Sequence, residues 1–309
     1  MHVVVTEFMD ETALERFGPE IRLTYDPGLV DDRARMRAAA GSATAIIVRN
    51  KTQVDSELLD AAPELKVVGR LGVGLDNIDL QACESRGISV FPATGANTAS
   101  VAEYVIGSAM VLTRGAYGAT AQMIAGDWPR GTLGQGGEIA GRTLGLIGYG
   151  GIARAVAVLA RGLGMKIIAH DPHVPAEDPA WTDTDRGTVE EVLARADIVS
   201  LHVPLTPETA QLIDAGAIAA MKPGAILINT ARGGIVDEAA LVAALRSGYL
   251  AGAALDVFAE EPLTAEAGAR FADVPNLILT PHIAGVTGPA NSRVSHMTVE
   301  NVLRALQDR

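Results

Sequence analysis

The chain has 309 residues, 48% of them hydrophobic, 20% charged and 4% aromatic, with a formal net charge of −12 at pH 7. That length accommodates two domains of about 150 residues each. The negative balance excludes a nucleic-acid partner, which needs a basic face to neutralise phosphates. A single cysteine, Cys83, rules out an internal disulfide or a cysteine metal cluster and points to a reducing, cytoplasmic setting. No secretory leader is expected, because Met1-His-Val-Val-Val-Thr reads directly as a strand. The longest apolar helix, around Ser100 to Thr113, carries Glu103 and falls short of the ~20 residues a membrane span needs.

Short, often β-branched runs predict strands at His2–Thr6, Ile21–Tyr25, Ala45–Val48, Val67–Arg70 and Ser89–Phe91, with helices at Asp31–Ala40, Asp55–Ala61 and Asp79–Arg86 between them. Such alternation predicts a parallel, doubly wound sheet. A longer helix follows, about Thr98 to Ala116, capped by Asn97 or Thr98. It is apolar on more than one face, so it is expected to be buried against another domain or subunit. After a polar, glycine-rich connection from Ala125 to Gly141, a second set of strands runs through Thr143–Ile147, Lys166–His170, Ile198–His202, Ala225–Asn229, Ala253–Val257 and Leu277–Thr280. Six strands in succession, the first ending in a glycine turn, make a complete Rossmann sheet. The last helix, Asn291 to Leu306, is surplus to that sheet and is expected to pack on the first domain. The predicted fold is therefore α/β with two doubly wound parallel-sheet domains: a flavodoxin-like substrate domain of residues 1–96 and 287–309, and a Rossmann domain of residues 97–286.

The glycine turn is Gly148-Tyr-Gly150-Gly151-Ile152-Ala153, with Ala153 standing for the third glycine of the dinucleotide fingerprint. Its glycines allow a tight turn and close backbone approach, and the N-terminus of the helix from Ile152 to Leu163 attracts a pyrophosphate. Asp171 ends the next strand about 20 residues on, where a carboxylate meets an adenosine ribose 2′-OH. Singly, each has a plainer reading, a common glycine turn and a solvated acid before Pro172; together they predict NAD.

Ligands of doubly wound sheets bind beyond the carboxyl ends of the strands. There the sequence delivers Arg232, Glu261 and His282 to one sheet edge. An arginine fork suits a substrate carboxylate, and a histidine oriented by a carboxylate moves a proton near neutral pH. Combined with a hydride carrier, the set describes oxidation of a 2-hydroxy acid. Glu260 competes with Glu261 on these grounds alone. His202 also ends a strand, but on the nucleotide side, as a wall of the cofactor cleft. His170 and His173 flank Asp171 without the acid or cysteine that metal ligation requires, so no metal is expected.

At these residues the chain resembles the D-isomer-specific 2-hydroxyacid dehydrogenases over essentially its whole length. The similar segments are Gly69-Arg-Leu-Gly-Val73-Gly74-Leu-Asp-Asn-Ile-Asp79, Asn97-Thr-Ala-Ser-Val-Ala-Glu103, the glycine turn, Ile228-Asn-Thr-Ala-Arg232-Gly-Gly-Ile-Val-Asp-Glu238, Ala254-Leu-Asp256-Val-Phe-Ala-Glu-Glu261-Pro262 and Thr280-Pro-His282. The resemblance implies Arg232, Glu261 and His282 as the active triad, which selects Glu261 over Glu260. It implies that the Val73 and Gly74 amides hold the substrate carboxylate and that Asp256 contacts the nicotinamide carboxamide. The implied cofactor site comprises Val73, Gly148, Gly150, Gly151, Ile152, Asp171, His202, Val203, Pro204, Thr230, Ala231, Arg232, Asp256, His282 and Gly285. A homodimer formed through the glycine-turn domain is implied as well.

Within the family, Arg49 and Arg130 look like the positions at which the 3-phosphoglycerate dehydrogenase branch directs arginines at the substrate's far anion. No serine-sensing domain is expected after Arg309. Glu7-Phe-Met-Asp-Glu11, Arg49-Asn-Lys-Thr, Ala125-Gly-Asp-Trp-Pro-Arg130 and His282-Ile-Ala-Gly-Val-Thr287 followed by Asn291-Ser-Arg293 look most like bacterial (S)-3-sulfolactate dehydrogenases. Arg49, Arg130 and Arg293 are then candidates to receive a sulfonate. D-3-phosphoglycerate and other anionic hydroxy acids stay open as substrates. An NAD(H)-sensing corepressor-like binding protein and a nucleotide-binding enzyme of another type, such as a methyltransferase, are the readings from other classes.

Overall fold

The computed structural model describes residues 1–307. They form two compact units, one of Met1–Asn97 with the segment from Val286 onward, the other of Thr98–Gly285. The first unit holds strands β1 (His2–Val5), β2 (Arg22–Tyr25), β3 (Ala45–Val48), β4 (Val67–Arg70) and β5 (Ser89–Pro92). All pair in parallel in the order β2-β1-β3-β4-β5, the flavodoxin-like arrangement. The central strands β1 and β3 read HVVV and AIIV and are buried at every residue, as expected of a sheet covered on both faces.

The helices of this unit start later than their acidic leaders suggest. Asp32, Asp55 and Asp79 are N-caps whose carboxylates accept the Arg35, Leu58 and Ala82 amides, so the helices run Arg33–Ala40, Ser56–Asp60 and Leu80–Ser85. Asp31 ends a separate 3-10 turn, Pro27–Asp31. The C-terminal helix, Gly288–Gln307, begins before Asn291 and packs Val294, Val299 and Val302 against Val3, Val5, Ile47 and Val67. A Cβ on Gly69 would lie 2.6 Å from Val302 Cγ2, so glycine lets this helix lie close on β4.

The second unit contains β6 (Thr143–Ile147), β7 (Lys166–His170), β8 (Asp185–Arg186), β9 (Ile198–Leu201), β10 (Ile226–Asn229), β11 (Gly252–Leu255) and β12 (Leu277–Leu279). Their order is β12-β11-β10-β9-β6-β7-β8, all parallel, which contains the dinucleotide-binding order; the six expected strands are all present, and β8 is the one strand added to them. β8 is two exposed charged residues and has no apolar run to announce it. The sheet reverses direction of winding at β6 and β9, so a crevice opens beyond their carboxyl ends.

Helices Thr98–Arg114 and Gly151–Gly162 cover one face of this sheet, and Val189–Arg195, Ala215–Ala220 and Glu238–Arg246 cover the other. The Thr98–Arg114 helix buries Ala102, Val105, Ile106, Ala109 and Leu112 against Leu144, Ala153 and Val156. Its main apolar face is thus satisfied within its own unit, while Met110 and Val111 remain exposed. The connection that follows carries short helices at Thr120–Ile124 and Arg130–Leu133, and leaves Tyr117, Ile124 and Trp128 exposed. Among the described residues no helix is long and apolar enough to cross a membrane.

Candidate active site

The glycine turn follows β6. Gly148 has φ +88°, and a Cβ there would lie 2.5 Å from the His202 carbonyl oxygen, so the turn can press against the end of β9 only with glycine. Gly150 is the N-cap of the 12-residue helix Gly151–Gly162 and brings no side-chain acceptor to it. The first amides are therefore left for a ligand, and no atom lies within 4 Å of where a Cβ on Gly150 or Gly151 would be. Ala153 is fully buried on the sheet side. Asp171, just past β7, accepts the Tyr149 amide on Oδ2 at 2.7 Å and the His173 amide on Oδ1 at 2.8 Å, which fixes its carboxylate beside the turn. An anion cradle with an acid fixed at its flank fits a dinucleotide.

His202 lies just past β9, hydrogen-bonded to Ser200 Oγ at 2.9 Å. Burial pushes its pKa down to about 4, so the ring is neutral at physiological pH. Val203 and Pro204 continue that edge, and the Pro204 carbonyl accepts Thr209 Oγ1 at 2.6 Å. At the end of β10, Asn229, fully buried, receives the Ala231 amide at 3.0 Å and donates to the Arg232 carbonyl at 2.8 Å. That one side chain shapes the Thr230-Ala231-Arg232 turn. Thr230 Oγ1 is buried there with no hydrogen-bond partner among the described residues, a polar atom on the strand edge where the cofactor is expected.

The turn is then locked onto its neighbour. A Cβ on Gly233 would fall 1.8 Å from the Phe258 carbonyl carbon, so the backbone after Arg232 lies directly on the loop after β11. In that loop Glu261 accepts the Phe258 amide on Oε1 at 3.0 Å and His282 Nδ1 on Oε2 at 2.7 Å. Glu260 is exposed beside it, and the pairing with His282 is made by Glu261. With Nδ1 on a carboxylate, the Nε2 pole of a half-exposed imidazole is left to meet a substrate hydroxyl.

His282 itself sits at φ +54° and donates its amide to the Asp256 carbonyl at 2.8 Å. Asp256 is buried, and its carboxylate accepts the Ile283 amide on Oδ1 and the Ala284 amide on Oδ2, both at 2.8 Å. Asp256 thus ties down the His282 loop, up to Gly285 at the end of the unit, a role invisible in the sequence.

In the other unit, Val73 and Gly74 lie in the bend after β4, next to Gly72 at φ +142°. Arg49 follows β3. Its amide and those of Lys51 and Thr52 are all accepted by the buried Glu7 carboxylate, at 2.8, 3.1 and 2.9 Å. Burial would raise the Glu7 pKa, but those amides outweigh it and hold the carboxyl below its ordinary range. The Arg49 guanidinium donates to Asn291 Oδ1 at 2.9 Å, and burial lowers its pKa while Glu7 opposes. Arg49 is therefore a built-in cation, not a solvated surface arginine. Arg293, on the same helix as Asn291, donates to the Ala96 carbonyl at 2.9 Å. Arg130 is exposed at the start of the Arg130–Leu133 helix, in the Thr98–Gly285 unit. Glu7, Asn229, Glu238 and Asn291 were not singled out as individual site residues from the sequence; a buried carboxylate or amide in a strand-end turn has no spacing that betrays its partners.

Comparison with known proteins agrees with this geometry. The sequence model of the family described as "D-isomer specific 2-hydroxyacid dehydrogenase, NAD binding domain" matches residues 106–284. A protein named (S)-sulfolactate dehydrogenase from Chromohalobacter salexigens is 55% identical over 305 residues, covering 98% of this chain and 98% of that one. D-3-phosphoglycerate dehydrogenase from Mycobacterium leprae is 39% identical over 304 residues; the match covers 98% of this chain, which spans only 56% of that longer protein. Among solved structures, the TT0316 protein of Thermus thermophilus superposes with a TM-score of 0.90 at 37% identity, covering 100% of this chain and 98% of that one. With the cofactor cradle and the His282–Glu261 pair on adjoining strand ends, and with matches of this extent, the chain belongs to the D-isomer specific 2-hydroxyacid dehydrogenases, NAD-dependent oxidoreductases.

Proposed function

We propose that this dehydrogenase acts on an anionic D-configured 2-hydroxy acid, (S)-3-sulfolactate, and converts it to the 2-oxo acid. The observation that carries the substrate class is Arg49, whose amide is held by Glu7 and whose guanidinium is held by Asn291 in the first unit, at a position a simple alkyl hydroxy acid does not need. In sulfolactate the sulfur-bearing carbon outranks the carboxylate, so the S label describes the same spatial arrangement as a D-hydroxy acid. The 55% identity to the sulfolactate dehydrogenase supports that choice, and Arg49 suits D-3-phosphoglycerate next.

NAD, when bound, supplies the acceptor for the hydride leaving C2. The residues of the chain do the rest. Gly148, Gly150, Gly151 and Ile152 cradle the pyrophosphate, while Asp171 receives the ribose hydroxyl and repels a 2′-phosphate. His202, Val203, Pro204, Thr230, Ala231 and Gly285 line the cofactor's edge. Asp256 joins that site through the loop it holds, with a lone pair on Oδ2 left for the carboxamide. Arg232 grips the substrate carboxylate, with the Val73 and Gly74 amides. His282 Nε2 takes the hydroxyl proton as C2 becomes a carbonyl, and Glu261 on Nδ1 stabilises the resulting imidazolium. Reduction runs the same proton in reverse. Arg49, Arg293 and a partner subunit's copy of Arg130 receive the sulfonate.

The same reading makes residues 1–96 and 287–309 the substrate domain, 97–286 the cofactor domain, and the enzyme a cytoplasmic homodimer. Exposed Tyr117, Ile124 and Trp128 in the cofactor unit are apolar surface suited to a second copy. Steady-state kcat/KM with NAD on sulfolactate, 3-phosphoglycerate, malate and D-lactate tests the substrate. The expected result is a strong preference for sulfolactate. Equal efficiency on D-lactate would sink the dianion reading, and a preference for 3-phosphoglycerate would move the enzyme to the neighbouring branch.

A further inference from the structure

His282 occupies the left-handed region at φ +54°, where a residue with a side chain persists only if its surroundings hold it. The hold comes from Asp256: its carbonyl takes the His282 amide, and its two carboxylate oxygens take the next two amides in turn. This works only while the carboxylate plane faces the loop. A third donor sets that plane. Thr280 Oγ1 donates to Asp256 Oδ1 at 2.6 Å, and the Tyr104 hydroxyl lies 2.6 Å from Thr280 Oγ1.

The direction of this chain follows from counting protons. A carboxylate can only accept, so the single hydroxyl proton of Thr280 goes to Asp256, and Tyr104 must donate to Thr280. Burial pushes the Tyr104 phenol pKa up, which keeps it protonated and able to donate. Tyr104 is anchored on the Thr98–Arg114 helix, part of the unit's packed core, so a rigid element lies at the far end. We propose that Thr280 and Tyr104 are positioning residues for His282: their hydroxyls orient the Asp256 carboxylate, which holds the left-handed backbone that places the imidazole on Glu261. Neither touches the reacting atoms. Linked hydrogen bonds in a buried setting reinforce one another, so the effect reaches the ring from the helix.

The inference rests on His282 as the proton carrier, and the test separates the two. Thr280→Val, Thr280→Ser, Tyr104→Phe and His282→Ala are compared for kcat, KM and NADH affinity by fluorescence, using the fastest acid of the panel above. Thr280→Val lowers kcat at least about tenfold, with KM within about twofold and the NADH Kd rising by clearly less than kcat falls, because the proton carrier is displaced more than the carboxamide contact of Asp256. Thr280→Ser keeps the hydroxyl and restores most of kcat. Tyr104→Phe lowers kcat by roughly three- to fivefold with the same split. Wild-type kcat in Thr280→Val, equal losses in the Val and Ser variants, or NADH affinity falling in step with kcat would each overturn the inference. If Thr280→Val does not fold, Tyr104→Phe decides: unchanged kcat there overturns it. Retained turnover in His282→Ala would instead overturn the proposed function itself.

Discussion

Glu238 Oε1 accepts the Ala259 amide at 2.8 Å, and Arg270 Nη1 lies 2.8 Å from its other carboxylate oxygen. Glu238 starts the Glu238–Arg246 helix and is only 6% exposed, yet it reaches the loop that carries Glu261. A buried carboxylate thereby ties a helix N-terminus to the loop after β11 and to Arg270. Glu238→Ala strands the Ala259 amide and leaves Arg270 unpaired. It should cost about 2–3 kcal/mol in stability, read by urea denaturation. Glu238→Gln keeps the acceptor for Ala259 and should lose less; equal losses would show that the amide bond is not what matters.

The Arg49–Asn291 bond predicts a split between substrates. Asn291→Ala frees the guanidinium and should raise KM for the dianionic acid about three- to tenfold while leaving D-lactate kinetics unchanged. Arg49→Ala should raise it further. A rise in KM for D-lactate of the same size would place Arg49 outside the far-anion site.

His202 predicts a pH dependence of stability. Its folded pKa of about 4 is below the ordinary histidine value of 6.5 because burial opposes charge. The unfolded chain therefore binds a proton that the folded chain refuses. The contribution is fully present above pH 6.5 and is lost as pH falls towards 4, amounting to at most about 3 kcal/mol. Thermal melts from pH 7.5 to 4.5 should show His202→Gln with a flatter profile than the wild type. Parallel profiles would refute the assignment.

Asp171 accepts two amides beside the glycine turn, and in the proposed function it carries the discrimination against a 2′-phosphate. Asp171→Ala should narrow the NAD-over-NADP preference in kcat/KM by about tenfold or more, by removing like-charge repulsion. An unchanged ratio would move the selectivity elsewhere in the cradle.

Much was legible in the chain itself because it is local. The strands β1, β3, β6, β7 and β10 are near-continuous apolar runs, and Gly148 and Gly150 mark a turn no other residue serves as well. Arg232, Glu261 and His282 could be placed at strand ends by counting along the sequence, since a doubly wound sheet puts all such ends on one edge. The two-residue strand β8 escaped, because an edge strand of exposed charges has no hydrophobic period. The helix starts expected at Asp31, Asp55 and Asp79 shifted to Arg33, Ser56 and Leu80, because an N-cap precedes its helix instead of joining it.

Only the tertiary structure could decide which carboxylate faces which amide. Glu261 and Glu260 are adjacent and chemically identical, and the difference is a 2.7 Å contact to His282 made across 21 residues. Glu7, Glu238 and Asp256 look like any acid in sequence; burial, at 4%, 6% and 1% exposure, forces each to find backbone amides far along the chain. Apolar periodicity records where a side chain sits relative to water, and that is enough for the fold. The orientation of a buried polar group depends on the partners that folding brings within 3 Å, and for that no local pattern exists.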